Sequence, residues 1–144
     1  YEKTLENMET YLRRTGNRVM VSSTVSLYTL WTLTETANKL LDTGLIANIA
    51  YQYVFLPKYS SYEMIPQLQI DKLVNEFFNN QAYLDDPKFF ERTDRMKVIK
   101  HTANSSDYSN ALRWIEYMNK LRGFDIHDYN PQLVEWAEHA RSVL

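Results

Sequence analysis

Three hydroxyls and one carboxamide are the side chains best placed to hold a ligand. Ser22, Thr24 and Ser26 fall at alternate positions of one β-branched run, and Gln52 lies on a second. Alternate residues of a strand share a face. Met20, Ser22, Thr24 and Ser26 therefore form a mixed set that would face a polar lumen, while Val19, Val21, Ser23 and Val25 form a more apolar set suited to packing under helices. Ligands of parallel sheets bind at the carboxyl ends of strands, which favours Thr24 and Ser26. The competing reading is that these hydroxyls bond the backbone where a strand ends. On the second run Asn48, Ala50, Gln52 and Val54 share one face, opposite Ile49, Tyr51, Tyr53 and Phe55. A buried Gln52 amide needs a partner, since leaving it unpaired costs about 1–3 kcal/mol. A ligand or the neighbouring strands could supply one.

Other reactive residue types read as surface. Glu135 and His139 are four apart on a helical stretch, a spacing that can hold a metal, but no second pair accompanies them. His127 lies between Asp125 and Asp128 and reads as a surface histidine, and His101 follows a charged stretch. Arg92, Arg95, Lys97 and Lys100 make a basic run that Glu91 and Asp94 interrupt, which suits a solvated face better than a nucleic-acid site. There is no phosphate-binding glycine loop and no nucleophile elbow.

The elements that must position these residues can be read from periodicity and punctuation. Gly16, Gly44 and Gly123 each follow a helical pattern, so helices are expected to end near 15, 43 and 122. The first spans 2–15, with Leu5, Met8 and Leu12 at helical spacing. Strands are expected over 18–25 and 45–56, separated by a helix over 27–43 that buries Leu30, Leu33, Ala37, Leu40 and Leu41. Two strands joined through a helix should be parallel. Beyond Pro57 the chain reads as all helix: 66–79, then 86–101 from the Asp86-Pro87 start, then a helix capped by Ser105 or Ser106 with Tyr108, Ala111, Leu112, Ile115, Met118 and Leu121 inward, then 131–143. Residues 57–65 and 80–86 read as connections.

No third strand is evident, yet a parallel sheet needs more than two strands and cover on both faces. The expected fold is therefore α/β and mostly helical, with two parallel strands in an incomplete sheet and a C-terminal helical region; the missing strand partners would come from other sequence or from another copy of the chain. Residues 1–66 would hold the strands, and 67–144 a helical extension packed on them as one domain. The sequence opens on Tyr1 rather than Met, in keeping with sequence upstream. A net charge of −2 gives no general drive toward nucleic acid or anionic membrane, and no apolar run approaches the ~18 residues of a span. With no cysteine, this chain cannot form disulfides, use a thiol or ligate a cluster through sulfur, which fits a reducing, cytoplasmic compartment.

Three pieces carry a family resemblance. Val21-Ser22-Ser23-Thr24-Val25-Ser26 resembles the fifth barrel strand of radical S-adenosylmethionine (SAM) enzymes, and Tyr51 to Tyr59, running through Phe55-Leu56-Pro57, resembles the sixth, followed by Ile65-Pro66. Met118 to Asp125, with its Arg122-Gly123 turn, and Asn130-Pro131-Gln132-Leu133 are similar to the helix, turn and cap after the barrel in members with twitch-type extensions. The resemblance implies an enzyme that cleaves SAM reductively at an iron–sulfur cluster and abstracts hydrogen from a peptide or small metabolite through a 5′-deoxyadenosyl radical. It implies a partial β/α barrel, with residues 1–66 as late barrel and 67–144 as its extension, in which Ser22, Thr24, Ser26, Gln52 and the backbone near Val54 wall the SAM site, with Val54 beside the adenine. The family's three-cysteine cluster loop has no counterpart here. This segment alone would then bind no cofactor and catalyse nothing, its partner being the upstream remainder of its own barrel. The alternative is a non-catalytic helical module that presents an aromatic face to another protein; eleven Tyr, six Phe and three Trp would supply one.

Overall fold

Two runs rich in Val, Ile and Tyr form the centre. In the computed structural model, which describes residues 2–123, 125, 128 and 130–144, β1 (Val19–Val25) and β2 (Ile46–Tyr53) pair in parallel. Ser22 stands opposite Ala50, and Thr24 opposite Gln52. The helix joining them, α2 (Leu33–Asp42), buries Leu33 and Ala37. Ahead of β1 lies α1 (Glu2–Thr15), which ends at Gly16 with φ 71°. None of its residues is fully buried, and Leu5, Met8 and Leu12 are half-covered.

A third strand exists where none was expected. β3 (Phe90–Glu91) pairs in parallel with Ile49 and Ala50 on the other side of β2, giving the order β1-β2-β3. The expected helix over 86–101 is replaced by a 3₁₀ turn at Pro87–Phe89, this short strand and a 3₁₀ helix at Thr93–Val98. Two physical causes combine. The Phe90 ring packs edge-on against Phe77, 5.6 Å between centroids, which draws its backbone to the edge of β2. Arg92 then adopts a left-handed conformation (φ 62°, ψ 21°) that no α-helix can contain. The buried residues after it, Thr93, Met96 and Ile99, recur every three positions, the period of a 3₁₀ helix.

Several boundaries also move. The 27–43 helix is shortened, because residues 26–29 form a hydroxyl-capped turn and Leu30–Thr32 a 3₁₀ turn before α2 begins. α3 is Gln67–Phe78, close to expectation, but α4 (Gln81–Asp85) occupies the supposed connection, with Asn80 Oδ1 accepting from the Ala82 N–H at 2.8 Å. α5 (Ser105–Arg122) is capped by Asn104 instead of a serine: Asn104 and Asp107 exchange bonds in a capping box. Leu121, expected inward, is 64% exposed at the end of that helix. α6 is Gln132–Ser142. His127 lies outside the described residues. Among those residues no helix is long and apolar enough to cross a membrane.

The core lies on one side of the sheet. Val25, Ile49 and Tyr51 meet Leu30, Met64, Ile65, Ile70 and Phe77, and Trp136 of α6 is fully enclosed. The Trp136 indole N–H donates to the Met64 carbonyl at 3.0 Å, tying the last helix to the turn after β2. Trp136→Ala is expected to cost about 3–5 kcal/mol in chemical denaturation, through lost burial and the cavity left behind.

A polar cluster pins the same turn from outside. Lys58 donates to Glu63 and Thr102, and the Thr102 hydroxyl donates to Glu63 at 2.9 Å. Burial pushes the Glu63 carboxyl up, but the Lys58 and Thr102 bonds and the Lys58 charge more than offset it and hold it below its ordinary value. A depressed carboxylate contributes stability that is present above its unfolded range and lost as pH falls through the folded value. Denaturation midpoints measured below about pH 4.5 should therefore fall less steeply with acid in Glu63→Gln than in the parent.

Candidate functional site

The two faces of the sheet are unequal. Val19, Val21, Ser23 and Val25 are half-buried to buried, whereas Met20, Ser22 and Thr24 are exposed, Met20 to 62%. On β2, Ile49 and Tyr51 are buried and Gln52 is exposed. The parallel register aligns Ser22 with Ala50 and Thr24 with Gln52, so Ser22, Thr24 and Gln52 lie together on the open side. Exposure follows the expected alternation along β1; on β2 it follows it only at Gln52, since Ala50 on the same face is 7% exposed and Asn48 Oδ1 is buried without a hydrogen-bond partner among the described residues. Gln52 needs no buried partner, because water reaches it.

Ser26 does not join this group. It is 6% exposed, and it organises the turn that leaves β1. Its hydroxyl accepts from the Tyr28 N–H at 3.2 Å, its N–H donates to the Thr29 hydroxyl at 2.9 Å, and its carbonyl accepts from Leu30 N–H at 3.1 Å. The backbone-bonding role of a strand-end hydroxyl therefore describes Ser26. Val54 sits just past β2, where its N–H donates to the Val25 carbonyl at 2.9 Å and extends the pairing of the strands.

Some residues of this face were not anticipated. Asn48 donates to the Glu91 carboxylate at 2.5 Å, linking β2 to β3 across the open side. Sequence alone could not join them, because Glu91 reaches the face only through the unforeseen third strand. Beyond β3, a cavity of about 560 Å³ opens at the carboxyl ends of β2 and β3, lined by Tyr51, Gln52, Tyr53, Arg92, Asp94 and Arg95. Along the outer edge of β1, which has no strand neighbour among the described residues, a groove of about 260 Å³ is lined by Ser22, Thr24, Thr29, Thr36 and Leu33.

Two tyrosines with buried hydroxyls lie nearby. Burial pushes the Tyr51 phenol far up, and its hydroxyl has no hydrogen-bond partner among the described residues. Burial likewise pushes Tyr28 up to about 12; Ser60 stands close enough to pull it back slightly, without a bond of ordinary geometry. His101 is structural: its Nδ1 lies 3.1 Å from the Ile65 carbonyl, and its ring stacks on Tyr108 at 6.1 Å. Glu135 and His139 are both exposed on α6, and no group of three metal-ligating side chains occurs among the described residues. The open face thus offers hydroxyls and carboxamides, groups that bind and orient polar ligands.

Fold and site together define an α/β protein with a small parallel sheet, helices over one face and a polar second face. No known family, curated protein or solved structure matches the chain.

The placement predicts opposite outcomes for residues two positions apart. Ser26→Ala should cost about 1 kcal/mol in thermal or urea unfolding, as loss of a capping hydroxyl does. Thr24→Ser and Gln52→Ala should each stay within about 0.5 kcal/mol of the parent, as exposed substitutions do.

Proposed function

We propose that the chain is the late wall and helical cap of a cytoplasmic radical SAM enzyme, with residues 1–66 forming the end of the β/α barrel and 67–144 its extension. The observation that carries this reading is the parallel β1-β2 pair, apolar and helix-covered on one face and carrying the exposed Ser22, Thr24 and Gln52 around a buried Ala50 on the other. Barrel strands face helices outside, and polar side chains such as Thr24 and Gln52 near the strands' carboxyl ends stand where the ligand sites of β/α barrels are built. β1 and β2, consecutive in sequence, lie side by side as neighbouring strands of a β/α barrel do, while β3, on the other edge of β2, falls within residues 67–144 and would belong to the extension. The motif resemblance supplies the choice of family.

Ser22, Thr24 and Gln52 fit a SAM site in chemical type: hydroxyl and carboxamide groups that can bind ribose hydroxyls and the amino-acid end of the ligand. The Val54 N–H is already engaged with Val25, so only its carbonyl or side chain would face the adenine. The chain has no cysteine, so any cluster would be ligated by other sequence. When bound, SAM and the cluster supply reductive carbon–sulfur cleavage and hydrogen abstraction; this chain's part would be to orient the ligand and exclude water.

The test uses the protein that carries this chain together with the sequence encoded ahead of it. Reductive cleavage of SAM to 5′-deoxyadenosine is expected, with KM for SAM raised about tenfold in Thr24→Val or Gln52→Ala, the equivalent of one lost hydrogen bond. Absence of a three-cysteine loop in the preceding ~150 residues, the rest of a typical barrel, would sink the reading. Tight SAM binding by these 144 residues alone would contradict the division of labour.

One observation favours the second reading, a partner-binding helical module. Trp114 of α5 lies between Tyr59 and Tyr117, with ring centroids 5.1 and 5.7 Å away, beside Arg113 at a shallow cavity of about 470 Å³. Aromatic and arginine side chains are the residues interfaces concentrate.

A further inference from the structure

The short length of β3 creates a site of its own. β3 pairs with Ile49 and Ala50 and stops, while β2 continues to Tyr53. The edge of β2 from Tyr51 to Tyr53 therefore faces the cavity of about 560 Å³ instead of a neighbouring strand. A strand edge without a neighbour leaves backbone N–H and C=O groups to be satisfied from outside. The notch also lies at the carboxyl ends of parallel strands, where ligands of α/β sheets bind.

Two arginines line it, and neither is in an ion pair among the described residues. The Arg95 guanidinium lies over the Phe55 ring, 5.7 Å from its centroid, which steadies the group while leaving its N–H fork in the plane of the guanidinium. Arg92 is the one non-glycine residue with positive φ among the described residues. Its backbone is held there by the Tyr53 hydroxyl, which donates to the Arg92 carbonyl at 2.9 Å. Glycine would take this conformation without strain, and arginine takes it at a cost. Strain of this kind persists where the surroundings enforce it and is concentrated at ligand sites. Asp94 shares the lining, but two arginines against one carboxylate leave it cationic.

We propose that this notch binds the oxyanion of a small ligand, a carboxylate or a phosphate monoester, through Arg92 and Arg95. Arginine forks match both groups by paired N–H···O bonds. The site rests on the geometry of β2, β3 and the Arg92 turn, and stands whether or not the barrel reading holds.

The test is an NMR titration of the full chain with inorganic phosphate and, separately, with acetate, chloride being added to hold ionic strength constant. Saturable shifts at Gln52, Tyr53, Arg92 and Arg95 are expected with at least one anion; which anion saturates identifies the phosphate or the carboxylate source. Arg92→Gly is the decisive variant: its Tm should equal or exceed the parent's, while affinity falls about tenfold or more. Arg95→Gln, on an exposed side chain, should weaken binding without unfolding the protein, and Asp94→Asn should tighten it. Shifts that rise linearly with both anions and match those from chloride would overturn the proposal, as would unchanged affinity in both Arg92→Gly and Arg95→Gln.

Discussion

Parallel strands need apolar cover, and the helical layer supplies it over the face of β2 that carries Ile49 and Tyr51. Ile49 and Tyr51 point into the helical layer with essentially no exposure, Ile49 contributing roughly 1.5–3 kcal/mol by burial. Around them gather Phe77 and Ile70 of α3, Met64 and Ile65 of the turn after β2, and Phe90 of β3. Trp136 bonds to that turn and brings α6 into the same core. Almost every helix is placed by reference to this one covered side. The opposite side carries Ser22, Thr24, Asn48, Gln52 and Glu91, with Met20 standing in solvent among them.

The regular elements were legible because their signals are local. Leu30, Leu33, Ala37, Leu40 and Leu41 announce one helical face, and Gly16, Gly44 and Gly123 all take the left-handed conformation expected of helix stops. Val and Ile enrichment placed both long strands, and the helix between them implied their parallel pairing. What failed depends on tertiary contact. Phe90 is drawn into a strand by the ring of Phe77, thirteen residues away in another element, and no local pattern near Asp86-Pro87 encodes that. The three-residue recurrence of Thr93, Met96 and Ile99 was present in the sequence, but a mixed charged stretch hides it from a search at 3.6. The Asn104–Asp107 box was equally legible and was outweighed by the adjacent serines.

The site was half legible for the same reason. Alternation alone sorted Ser22 and Thr24 from Val21 and Val25, and pairing to β2 added Gln52 to their face. Ser26 follows the alternation in sequence but leaves it in space, because the strand has ended and the hydroxyl is consumed in a turn. The notch beside Arg92 could not be read in advance. It is the product of a two-residue strand and a single left-handed residue, features with no composition of their own.

On the proposed reading, the face of the sheet that carries Met20, Ser22, Thr24 and Gln52 is the surface a larger barrel would close. Met20 reports on it directly, because methionine oxidation follows exposure. Met64 and Met96, fully enclosed, serve as internal references. Peroxide oxidation followed by peptide mass spectrometry should modify Met20 rapidly in the isolated chain and leave Met64 and Met96 protected. Joined to its upstream sequence, the protein should protect Met20 as well. Protection of Met20 in the isolated chain, or equal reactivity in both proteins, would contradict the account.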